Sequence, residues 1–310
     1  MKPAATTTHQ TVIGILSPGE MGSALAEVLR DRGFEVITTL TGRSPRSTEY
    51  CERSGVAARK CLADVVSQAD VIISTVTPDA AVAVASQVRR EAARLDASLI
   101  YVDANSVSPQ TIGRIADEFQ DSNIQFVDAA IHGLASRLKT QGTIFASGSA
   151  AGVVSELFGT DVRVRILGGE PGNASLMKMT LGGMSKGIIG LFLQSSLLAQ
   201  HVGMADEFCD ELGHYYPDVL NFVERSLPTF GQHAARRAAE MRELEASLSV
   251  AGLPTGMAVE LSRLFSALNE SDMAAVCGRG VQPMSLKKLI ELLSESRLSV
   301  ITDRLAATVV

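Results

Sequence analysis

The sequence predicts an α/β chain: a doubly wound parallel sheet in the N-terminal half, followed by an all-α C-terminal half. Three observations carry this. From Thr11 to Leu167, short β-branched runs alternate with helix-length segments, several of the runs are apolar throughout, and after Gly172 the strand signal stops. Continuous apolar strands are those covered on both faces, as in parallel sheets, and alternation with helices makes βαβ units. The predicted strands are 12–16, 35–40, 71–76, 99–103, 124–130, 143–146 and 163–167, with helices between them over 21–32, 80–95 and 109–119. Helical spacing then predicts segments 173–202, 206–215, 233–249, 254–268 and 286–294, with Pro254 at a helix start and Gly203, Gly252 and Gly278 at helix ends. The expected organisation is a tail (1–10), a dinucleotide-binding domain (11–169), and a helical substrate and dimerisation domain (170–310) entered through an inter-domain helix (173–202).

Composition narrows the function. With 46% hydrophobic and 20% charged residues, the 310-residue chain belongs with ordinary folded proteins, and a net charge of -6 gives no electrostatic reason to bind nucleic acid. Cys51, Cys61, Cys209 and Cys277 form no C-x-x-C pair, so no metal site or disulfide framework is expected and a cytoplasmic location is. The apolar stretch 188–199 is short for a membrane span and follows Lys178 and Lys186, so it reads as a buried helix.

The chemistry begins at the first strand-to-helix turn, Ile13-Gly14-Ile15-Leu16-Ser17-Pro18-Gly19-Glu20-Met21-Gly22. A dinucleotide fold places its pyrophosphate turn there: Gly19 lets the backbone approach phosphate, Gly22 lets the helix pack on the sheet, and the helix N-terminus supplies free N–H groups. The first glycine of G-x-G-x-x-G is replaced by Ser17, followed by Pro18. About 20 residues further on, where NAD enzymes offer an acid to the ribose, there is no acid between Glu35 and Glu49. Arg43 and Arg46 stand there among hydroxyls, which suits a 2′-phosphate, so NADP(H) is expected over NAD(H).

Four segments, Ile13 to Gly22, Val102-Asp103-Ala104-Asn105-Ser106-Val107-Ser108-Pro109, Asp128-Ala129-Ala130-Ile131-His132-Gly133, and Gly168 through Lys178, make the chain resemble the β-hydroxyacid dehydrogenase and 6-phosphogluconate dehydrogenase superfamily. The resemblance covers nearly the whole chain. It implies phosphate contacts at Gly19, Glu20, Met21 and Gly22, cofactor-facing backbone at Val76, Thr77 and Pro78, and Asn105 and Ser106 near the nicotinamide and substrate. It also implies His132 and Gly133 at the substrate's polar end and Lys178 at the reacting oxygen. Two departures stand out: His132-Gly133-Leu134 replaces the family's serine and two glycines, and Leu181-Gly182-Gly183 stands where an asparagine is usual one turn after the lysine.

Lys178 is one of two charges between Asn173 and Gln200, flanked by Met177, Met179 and Leu181. On a helix expected to bury most of its surface, burial favours the neutral amine and hence proton exchange near neutral pH; the alternative is a lysine whose stem packs while its head reaches water. Lys186 is expected to pack or serve an interface. Gly182, Gly183, Gly187 and Gly190 imply that cofactor, substrate or another helix approaches the backbone. Of Arg236, Arg237, Glu240 and Arg242, read as a solvated face, only Arg237 is a candidate anion contact. The expected function is hydride transfer between NADP(H) and a hydroxyl or keto group of a small polar substrate, the alternatives being imine reduction on the same scaffold and a cofactor-binding sensor without turnover. A homodimer is expected, and no membrane partner.

Overall fold

A computed structural model describes residues 10–227, 233–270 and 286–295. The chain divides into two compact units, Met1–Lys178 and Met179–Val310. This division falls inside a helix, nine residues after the boundary expected near 169.

The first unit is built on an eight-stranded sheet. Strands β1 (Val12–Leu16), β2 (Glu35–Thr39), β3 (Ala57–Arg59), β4 (Val71–Ser74), β5 (Leu99–Asp103), β6 (Ile124–His132), β7 (Thr143–Ser147) and β8 (Arg163–Ile166) lie in the order β3-β2-β1-β4-β5-β6-β7-β8. The first six are parallel, as expected; β7 runs antiparallel to β6 and β8 parallel to β7. The sheet is therefore mixed at this edge, because β6 and β7 are joined by a short connection that reverses the chain. Strand β3 was not expected: Ala-Ala-Arg lacks the β-branched signature, and the segment is a strand because it pairs with β2.

Helices α1 (Glu20–Asp31), α2 (Pro45–Ser54), α3 (Leu62–Val66), α4 (Ala81–Leu95), α5 (Pro109–Glu118), α6 (Leu138–Gln141) and α7 (Gly152–Phe158) complete this unit. Alternation along the strands separates two apolar layers. Ile13, Ile15, Ile73, Val102 and Val127 pack with Leu25, Leu29, Val154 and Leu157 of α1 and α7, while Leu16, Ile72 and Tyr101 pack with Val84, Val88, Ile112 and Ile115 of α4 and α5. The strand order reverses between β1 and β4, which opens a crevice at their C-terminal ends where doubly wound sheets bind ligands.

Helix α8 (Asn173–His201) begins in the first unit and continues into the second. The second unit adds α9 (Ala205–Tyr215), α10 (Pro217–Ser226), α11 (Ala234–Val250), α12 (Gly256–Glu270) and α13 (Leu286–Glu295) around a core that includes Ile189, Phe192, Val223, Met241, Phe265 and Leu289. Gly203 and Gly252 follow α8 and α11 with φ of +76° and +67°, the left-handed stop that favours glycine. Helix α12 starts at Gly256 rather than Pro254. The tail 1–9, Cys277 and Gly278 lie outside the described residues.

One expectation about α8 is corrected. It is not a buried helix: 22% of its most apolar window is buried, and it is long and apolar enough to cross a membrane by length and composition. Met177, Leu181, Met184, Leu191 and Leu198 are exposed. Of the occupants expected beside its glycines, another helix is found at two: a Cβ on Gly183 would come within 2.6 Å of Leu244 and one on Gly190 within 2.2 Å of Leu261, whereas Gly187 faces open space.

Candidate functional site

The turn after β1 adopts the shape a dinucleotide turn requires although its first glycine is missing. Ser17 has φ +69°, the left-handed conformation a glycine would take without strain. Hydrogen bonds hold it there: the Ser17 carbonyl accepts from Gly19 N at 2.7 Å and from Thr75 Oγ1 at 2.9 Å, and Leu16 O accepts from Thr75 N at 3.1 Å. Pro18 is buried beneath the turn.

A Cβ on Gly22 would lie 2.7 Å from Thr75 Oγ1 and 2.8 Å from Ser17 O, so this glycine is what allows α1 to seat against the strand ends. A Cβ on Gly19 would meet nothing within 4 Å. Helix α1 has no side-chain cap at its N-terminus, in contrast to α2 and α5, which Ser44 and Ser108 cap. Open space above Gly19 and uncapped N–H groups at a helix N-terminus fit a pyrophosphate. Across the crevice, Val76 is buried while Thr77 and Pro78 are exposed at a 3-10 turn.

After β2 the expected phosphate loop is shorter than the sequence suggested. Pro45 opens α2, and Ser44 spends its hydroxyl as the cap, accepting from Ser47 N at 3.4 Å. Arg46 lies on the first turn of α2, where it donates to Tyr50 Oη at 3.2 Å and stacks over the ring at 5.5 Å. Arg43 precedes the helix, half-buried, with no carboxylate paired to it among the described residues.

Lys178, the lysine expected at the reacting oxygen, sits at the start of α8. Lys178 is half-buried, and Nζ donates to Ser106 Oγ at 2.8 Å. Both residues lie beyond a polar row crossing the sheet. Register aligns Ser74 with Asp103, Asp103 with Asp128, and Asp128 with Ser147, and none of the four has exposed surface.

Within that row Asp103 Oδ1 accepts from Asn105 N at 3.1 Å and Oδ2 from Asn105 Nδ2 at 2.8 Å, while Asn105 Nδ2 also donates to Ser74 Oγ at 3.2 Å. Asn105, expected near the substrate, is therefore turned inward with its amide hydrogens committed. Burial pushes the Asp103 carboxyl up to about 7, with the neighbouring Asp128 acting in the same direction and the Asn105 hydrogen bonds opposing. Asp128 meets the beginning of α8: Oδ2 accepts from Gly172 N, Ala174 N and Ser175 N at 2.9–3.1 Å and from Ser147 Oγ at 3.0 Å, and Oδ1 accepts from Ser175 Oγ at 2.7 Å.

Of the remaining candidates, His132 ends β6 as an exposed residue, four positions beyond Asp128 and so roughly 13 Å further along the strand. Gly133 has φ +125° and a Cβ there would sit 3.1 Å from Gly142 Cα, which accounts for the glycine by the turn alone. Lys186 pairs with Glu240 at 2.8 Å within the second unit, consistent with a packing role. Arg237 is half-buried rather than on a solvated face, and burial lowers it to about 10. Asp103 and Asp128 had been given no role; the available signal was an acid ending one apolar strand and interrupting another, Val102-Asp103 and Val127-Asp128.

The sheet order and the turn at its switch point define an NAD(P)-binding domain. Residues 11–156 match the family described as the NAD binding domain of 6-phosphogluconate dehydrogenase, and residues 199–268 match a domain family of unknown function. An uncharacterised 28.5 kDa protein from the 7S RNA 5′ region of Methanothermus fervidus is 31% identical over 237 residues, 75% of this chain and 89% of that protein. A conserved protein of unknown function whose structure is described as similar to 3-hydroxyacid dehydrogenases is also 31% identical, with a TM-score of 0.69 over 86% of this chain and 99% of that one.

Two further structures share the fold. A 3-hydroxyisobutyrate dehydrogenase of Mycobacterium tuberculosis with L-serine has a TM-score of 0.69 at 14% identity, covering 87% of this chain and 98% of its own. An imine reductase from Pseudomonas sp. has 0.56 at 20%, covering 92% and 99%. The chain belongs to the β-hydroxyacid dehydrogenase and 6-phosphogluconate dehydrogenase superfamily.

Proposed function

We propose that the protein is an NADP(H)-preferring oxidoreductase acting on a hydroxyl or keto group of a small polar substrate, with Lys178 moving the proton. The observation that carries this reading is the 2.8 Å contact between Lys178 Nζ and Ser106 Oγ at the C-terminal edge of the dinucleotide-binding sheet. When bound, the nicotinamide supplies or accepts the hydride. Gly19, Glu20, Met21 and Gly22 would hold its phosphates through backbone N–H groups, and Arg43 would supply the charge for a 2′-phosphate. Ser106 and Lys178 then offer the substrate oxygen a hydroxyl and an amine. In reduction the ammonium donates a proton to the carbonyl oxygen as negative charge develops on it; in oxidation the neutral amine removes the hydroxyl proton.

The exposed residues Met177, Leu181, Met184, Leu191 and Leu198 recur at three-, four- and seven-residue spacing on one face of α8, the pattern of a helix that packs against another helix. A second copy of the chain is the proposed occupant. Titration with NADPH and NADH, followed by turnover assays with hydroxy acids, keto acids and cyclic imines, tests the function. Tight NADPH binding with turnover of a hydroxy or keto acid is expected. Turnover of imines alone would move the reaction to C=N reduction, and binding without any turnover would favour a sensor.

A further inference from the structure

The polar row beneath Lys178 is costly to build. Asp103 and Asp128 are register partners on adjacent parallel strands, both without exposed surface, and no Lys or Arg pairs with either among the described ion pairs. Burying two neighbouring carboxyl groups with no cation beside them is costly for a structural brace alone, so what their oxygens hold carries the weight. Their hydrogen bonds are directed. Those of Asp103 end on Asn105, the residue before Ser106, and those of Asp128 end on Gly172, Ala174 and Ser175, the first turn of the helix that carries Lys178 one turn later. Three backbone N–H groups at the start of α8 converge on one oxygen of Asp128, so Asp128 fixes the position of that turn.

We propose that Asp103 and Asp128 are positioning residues of the reacting pair, one bracing the Asn105–Ser106 loop and the other the first turn of α8, so that together they set the Lys178–Ser106 contact. This rests on the functional reading above only in taking Lys178 as the reacting amine. The groups facing the pair are Asn105 and Ser74 beside Asp103, Tyr101 on the same strand, and Ser147 and Ser175 beside Asp128. Neither carboxylate is asked to touch substrate.

The test is the pH profile of Lys178 acylation by acetic anhydride, read by mass spectrometry, in the wild type, Ser106→Ala, Asp103→Asn, Asp128→Asn and Ser175→Ala. Lys60 and Lys139 serve as internal references, and NADPH affinity is measured in parallel. Removing either brace should displace the midpoint of the Lys178 profile in the same direction as Ser106→Ala, by about half a pH unit or more, a displacement well within what a lost charged hydrogen bond produces. The reference lysines should not move, and NADPH affinity should stay within about twofold because the phosphates are held at α1.

Should Asp128→Asn fail to fold, Ser175→Ala, which removes one of its contacts, is expected to give a smaller displacement of the same sign. A Lys178 profile unchanged in Asp103→Asn and Ser175→Ala, whatever their melting temperatures, would reduce both acids to structural anchors and overturn the proposal. Failure of the wild type to bind NADPH would instead defeat the functional reading and leave this comparison standing.

Discussion

Replacing Asp103 by asparagine should remove a large, pH-dependent cost from the folded state. The Asp103 carboxyl has no exposed surface and is pushed from 3.8 up to about 7, first by burial and then by the adjacent Asp128. A raised carboxyl is protonated in the native protein while the unfolded chain has already released its proton. The stabilisation associated with the protonated form is therefore complete below 3.8 and lost as pH rises to about 7. Each pH unit well inside that window costs about 1.4 kcal/mol and the slope fades towards 7, so wild type should lose about 2 kcal/mol relative to Asp103→Asn between pH 5 and pH 7 and little more above pH 8.

Urea unfolding of the two proteins at half-unit intervals from pH 5 to pH 8 gives this difference, since titrations common to both cancel. Asparagine keeps one carbonyl acceptor for Asn105 but loses the second, which contributes an offset of about 1 kcal/mol against the variant that does not vary with pH. A stability difference that stayed flat across the range would refute the assignment of a proton to buried Asp103.

Arg43→Ala should weaken NADPH binding by about tenfold or more, the worth of one charge-assisted contact to phosphate, and leave NADH nearly unaffected; isothermal titration with both cofactors checks it. Ser17→Gly should preserve cofactor affinity, whereas Ser17→Val, which forces a β-branched side chain to the observed φ of +69°, should cost about 1–3 kcal/mol in denaturant unfolding. Light scattering should give a dimer for the wild type and a monomer for Leu191→Glu/Leu198→Glu; an unchanged mass would remove α8 as the interface.

The fold was legible because its strongest signals are local. Runs such as Val12–Leu16 and 99–102 are apolar along their whole length, and the helices between them carry clear periodicity, so the βαβ series and the helical half could be read directly. The edge was not. β3 has no propensity of its own and exists through pairing with β2, and the reversal of β7 follows from a connection whose geometry no residue type announces.

At the site, the close approach at Gly22 and the open space at Gly19 follow from residue type and position, and Lys178 falls beside Ser106, another expected site residue. The commitment of the Asn105 amide to Asp103 was not readable, because Asp103 declares itself only through burial, and nothing in the residue types announces that the Thr75 hydroxyl holds the backbone at Ser17. The exposure of α8 was hidden for a related reason: apolar composition indicates that a face will be covered, not by what.

The central claim is that Lys178 moves the proton accompanying hydride transfer. Lys178→Met keeps much of the alkyl stem while removing the amine that reaches Ser106. With the substrate found by the turnover panel, the variant should bind NADPH as the wild type does, while kcat falls by about 10²–10⁴, the usual worth of a positioned acid or base. The rise of the oxidative rate with pH should disappear with it. A Lys178→Met enzyme with near wild-type kcat and an intact pH profile would contradict the account.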